Sequence, residues 1–84
     1  MRHAAERSAR REVRNPVLAL PAARALQALD PRTRAILADL LADLAADAAH
    51  RAQRSWAQHK GIMAAYWKAV SVYARHIRRA LRRP

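Results

Sequence analysis

The sequence predicts an all-α fold, a short helix followed by an antiparallel helical hairpin, and three observations predict it. Apolar residues recur at three- and four-residue spacing from Ile36 to Leu81, the period of one face of an α-helix. An Asp30-Pro31 pair stands just ahead of that run. Gly61, the chain's one glycine, divides it.

Residues 1 to 14, MRHAAERSARREVR, form a basic arm that need not fold, although Glu6 and Arg10 have the four-residue spacing that supports a helical turn. Asn15-Pro16 closes the arm, and residues 15 to 84 are read as a single small helical domain. Leu18 and Leu20 lead in extended form to Pro21, which suits the first position of a short helix running to about Leu29.

Asp30-Pro31 marks the next start. An aspartate oxygen accepts from the free amides of a first helical turn, and a proline directly after it sacrifices no needed donor. The helix it opens is predicted over about 31 to 60, with Ile36, Leu37, Leu40, Leu41, Leu44, Ala48 and Ala52 on its apolar side. Lys60-Gly61-Ile62 then reads as a stop, with a cation in the last turn, glycine at the left-handed position and an apolar residue beyond it.

A second long helix follows at about 62 to 82, its stripe formed by Ile62, Met63, Tyr66, Val70, Tyr73, Ile77 and Leu81. Folding the chain at Gly61 brings Ala48 to the level of Tyr73 and Ala74, Leu44 to Ile77, and Leu40 to Leu81, so small side chains oppose large ones. The alternative is one continuous helix over 31–82 that self-associates, because the stripe keeps its phase through Gly61.

Net charge is +11, yet fifteen of the seventeen basic residues are arginine and twenty-two residues are alanine, as a GC-rich genome would also write. Distribution is therefore more informative than total. All six acids lie at or before Asp47, while residues 48 to 84 hold nine Lys or Arg and all four aromatics. That half is expected to meet something acidic.

The densest cluster is Arg75, Arg78, Arg79, Arg82 and Arg83, with Lys68 extending it upstream, and these six are the candidate nucleic-acid contacts. Helix-end cations that merely complement the dipole are the plain reading of the same residues. Trp56 and Trp67, eleven residues apart, return to nearly the same helical direction, with Lys60 and Arg78 beside them. Trp56, Lys60 and Trp67 are the candidate protein-partner contacts, and the plain reading has both tryptophans closing the mouth of the hairpin.

Catalysis is not expected. Ser8, Thr33, Ser55 and Ser71 lack a glycine-rich elbow or phosphate loop. Asp39, Asp43 and Asp47 share a helical face with Arg51 four residues beyond, the pattern of a solvated ion-pair face. His3, His50, His59 and His76 have no second histidine one turn away and no cysteine to complete a site, so they are read as surface residues and neither metal nor cofactor is expected.

The function these features predict is a non-enzymatic basic helical module that binds nucleic acid or a nucleoprotein complex. The alternative is a small inhibitor or adaptor, of the kind a phage or mobile element carries, that blocks a host protein complex; a third reading places residues 62 to 83 on a membrane surface as an amphipathic helix. A homodimer is also expected, since the non-alanine apolar residues make a thin core for 84 residues. No uncharged apolar stretch reaches the ~18 residues of a membrane span. The arm and the short Val17 to Ala23 run make a poor secretion signal, and a cytoplasmic setting is the expectation.

Overall fold

A computed structural model describes residues 15 to 82, so the arm at 1 to 14 and the candidate contact Arg83 lie outside the described residues. Two 3-10 segments, Pro16–Ala19 and Pro21–Ala28, lead into two long helices, α1 (Pro31–Ala57) and α2 (Gly61–Arg82), which pack as the predicted hairpin.

Leu18 lies in a 3-10 turn instead of an extended lead. The Asn15 side chain caps that turn by accepting from the Val17 amide at 3.2 Å, and Pro16 supplies a helical φ directly after the cap. Asn15 is itself buried, its Nδ2 donating to the His76 carbonyl at 3.0 Å. The predicted short helix is the second 3-10 segment. It is tied to α2 by Gln27, whose Nε2 donates to the Ala80 carbonyl at 2.8 Å while Oε1 accepts from Arg34 at 3.4 Å.

α1 begins where Asp30-Pro31 requires. One Asp30 carboxylate oxygen accepts from the Thr33 amide at 3.0 Å and the other from its hydroxyl at 2.6 Å. Thr33 therefore holds the Asp30 carboxyl below the ordinary aspartate pKa, the hydroxyl first and the amide second.

The stop between the helices differs from the sequence expectation in one respect. The left-handed residue is His59, at φ 58°, and Gly61 has no positive φ. Around His59 the helix ends with paired bonds, Lys60 N to Ser55 O at 2.8 Å and His59 N to Trp56 O at 3.0 Å. Histidine is one of the few non-glycine residues enriched in this region. With the reversal complete by Lys60, Gly61 becomes the first residue of α2, and the Lys60 carbonyl accepts from Ala64 at 2.9 Å.

The earlier reversal changes the register. Ser71, buried in α2, donates its hydroxyl to the Ala45 carbonyl at 2.8 Å, more than one helical turn from the level that folding at Gly61 assigns it. The contact line is consequently built from small residues, Ala38, Ala45 and Ala48 on α1 with Ala64, Ser71 and Ala74 on α2, and Leu81 closes the open end. Alanine faces alanine and serine, where the sequence suggested small against large. Most of the larger stripe residues lie off that line: Leu40, to one side of it, is 62% exposed, and Ile36 and Ile62, opposite it on their own helices, are 60% and 88% exposed.

Candidate functional site

Five basic residues of α2 fall among the described residues, and the helix contains no carboxylate. At ~100° per residue, Lys68, Arg75, Arg79 and Arg82 fall within an arc of about 60°, forming a stripe about 21 Å long. All four are exposed. Arg75 is steadied at the helix contact line, its Nη2 lying 3.3 Å from the Ser71 hydroxyl oxygen, which accepts that bond while donating its own proton to Ala45.

Beside the stripe runs a groove of about 610 Å³, floored by Ala49, Ala52 and Ala64 and walled by Trp56 on one side with Lys68 and Arg75 on the other. The alanines leave the space, because no long side chain fills the contact line on this face. Trp56 is 71% exposed, so its ring is open to a ligand. Towards the open end of the hairpin, Arg78 and Arg82 line a second recess of about 390 Å³ with Arg34 and Ala38.

The candidates thus divide. Lys68, Arg75 and Arg82 are brought to one grooved face with Trp56, and Arg79 lies on the adjoining side of the same stripe. Arg78 is half-buried nearer the contact line. Lys60 is exposed in the turn. The two tryptophans do not form one patch, because the turn between them reverses the chain. Trp67 is half-buried, with the Arg51 guanidinium 5.0 Å from its ring centroid and the Tyr66 ring edge-on at 5.1 Å. Only Trp67 approaches the predicted place between the helices, and Arg51, not Arg78, is the cation beside it.

No family matches this chain. Comparison with curated proteins and with solved structures likewise finds no match.

The carboxylates are kept away from the groove. Asp43 and Asp47 are exposed and, by helical rotation from Ala45, point away from α2, whereas Asp39 lines the second recess with Arg78 and Arg82; Asp47 accepts from Arg51 Nε at 2.8 Å, the four-residue ion pair expected. Among the described residues no group of three His, Cys, Asp or Glu could hold a metal ion, and no helix is long and apolar enough to cross a membrane.

His76 departs from the surface reading. It is half-buried, its Nδ1 is buried, and its ring stacks edge-on with Tyr73 at 5.9 Å. Ser71 and Asn15, which sequence reasoning passed over as sites, are both buried anchors, and the signal that could have found Ser71 is the spacing of small residues along α2.

Proposed function

We propose that this chain is a non-enzymatic nucleic-acid-binding module that holds a phosphate backbone along Lys68, Arg75, Arg79 and Arg82. The observation that carries the reading is their alignment on one side of a helix free of carboxylates, beside a groove that the acids of α1 do not face. A stripe of about 21 Å matches about six nucleotide steps at ~3.4 Å per strand.

The groove favours an unpaired strand. Trp56 offers a sequence-tolerant stacking surface to a base while Lys68 and Arg75 neutralise the adjoining phosphates. Apart from the stacking Trp56, Gln53 and the Ser71 hydroxyl already bonded to Ala45, the groove has no neutral side-chain group to read base edges, so recognition is largely independent of sequence.

The protein-partner reading retains one point of support, the exposed Trp56 with Lys60 near it at the hairpin end. It loses the paired-tryptophan anchor. Titration of the full chain with unrelated single-stranded and duplex oligonucleotides across a salt series is the test. Affinity that falls steeply with salt supports backbone binding, and salt-independent binding or none at all removes it.

A further inference from the structure

The opposite face of the hairpin is apolar. In an antiparallel pair, residues rotated in the same sense from the contact line emerge on the same face. Leu40 and Leu44 are rotated about 100° to 140° from Ala45 in the same sense as Tyr66, Val70 and Tyr73 are from Ser71. On α2 this apolar stripe lies about 170° from the basic one. Two rows therefore stand side by side, aliphatic on α1 and aromatic with Met63 on α2, and the charged side chains at its turn end, Arg51 and Asp47, are paired with each other.

We infer that a second copy of this chain packs on that face, giving an antiparallel four-helix dimer. The exposed portions of Leu40, Leu44, Met63, Tyr66 and Tyr73 amount to roughly 500 Å², in the upper part of what a monomer ordinarily leaves in one patch and more than half of the ~800 Å² per partner of a standard interface.

Charge placement selects the occupant. Two chains of net charge +11 repel, but here they meet through sides whose one ion pair is neutral, with the basic stripes directed outward. An anionic membrane would require the cations to flank the apolar face at headgroup level, and α2 carries them on the other side. The face is also self-complementary under a two-fold axis, since the aliphatic row of one copy meets the aromatic row of the other. Apart from Leu81 the fully buried apolar side chains of one copy are alanines, so covering this face adds burial of large side chains that the hairpin alone leaves exposed.

Sedimentation velocity and light scattering of the full chain at micromolar concentration in moderate salt test the inference. The expected mass is twice the 9.5 kDa of one chain, and Leu40→Lys or Tyr66→Lys is expected to halve it with the helical circular dichroism spectrum retained. A wild-type chain that stays monomeric throughout the micromolar range overturns it, as does a folded Leu40→Lys or Tyr66→Lys chain that remains dimeric. A monomer that co-sediments with phosphatidylglycerol vesicles through the same residues overturns it in favour of lipid.

Discussion

The Ser71 hydroxyl donates to the Ala45 carbonyl at 2.8 Å across the hairpin, and this bond marks the register on which the two faces depend. Its neighbours on the contact line are alanines, so the helices approach too closely for a larger side chain. Ser71→Ala is expected to cost about 1 kcal/mol through loss of the bond, and Ser71→Leu about 1–3 kcal/mol through overpacking. Ile62→Ala, by contrast, should stay within about 0.5 kcal/mol, because Ile62 is almost fully exposed. Urea denaturation of the three variants checks the order, and a costly Ile62→Ala would contradict the alanine contact line.

The turn makes a prediction whose sign is opposite to that of the sequence expectation. Gly61 at a left-handed position would be strained by alanine, but it begins α2 with no atom within 4 Å of an added Cβ. Gly61→Ala should therefore stabilise the chain, by up to about 1 kcal/mol. His59 occupies the positive φ, so His59→Gly should be neutral or stabilising and His59→Val destabilising by about 1–2 kcal/mol. Melting temperatures of the three variants decide which residue makes the reversal.

Asp30 predicts an acid-side loss of stability. Its folded pKa is lowered by Thr33, so its contribution is fully present above the unfolded pKa and disappears as pH falls through the folded one. Asp30→Asn keeps a capping oxygen but cannot ionise. Its melting temperature should fall less steeply than that of the wild type below about pH 4, and identical acid profiles would show that the cap carries no linked proton.

For the proposed nucleic-acid contacts, replacing Lys68, Arg75, Arg79 or Arg82 singly with alanine should weaken binding similarly for all sequences and reduce the salt slope by about 1. Arg54→Ala, on the far side of α1, should leave the slope unchanged. Trp56→Ala should weaken single-strand binding by about 1–3 kcal/mol and duplex binding by less. Fluorescence anisotropy with matched single-stranded and duplex probes separates the effects, and equal losses on both would argue against stacking at Trp56.

The all-α class, the start at Asp30, the existence of a hairpin and the basic cluster on α2 were legible in the sequence because each rests on local spacing: a cap and its amides, a 3.6-residue period, a run of arginines within one helix. The candidate site was legible only in part. Lys68, Arg75, Arg79 and Arg82 share a helical side by spacing alone, but the groove that places Trp56 beside them depends on both helices. Tertiary structure decided that His59 makes the reversal, that Ser71 meets Ala45, and that alanines form the contact line while Leu40 and Tyr66 remain outside. These depend on how two helices slide and rotate against each other. Hydrophobic periodicity is nearly indifferent to that choice, because in this chain both an alanine stripe and a leucine-tyrosine stripe run the length of the same helices. Close backbone approach and the Ser71 bond decide between them.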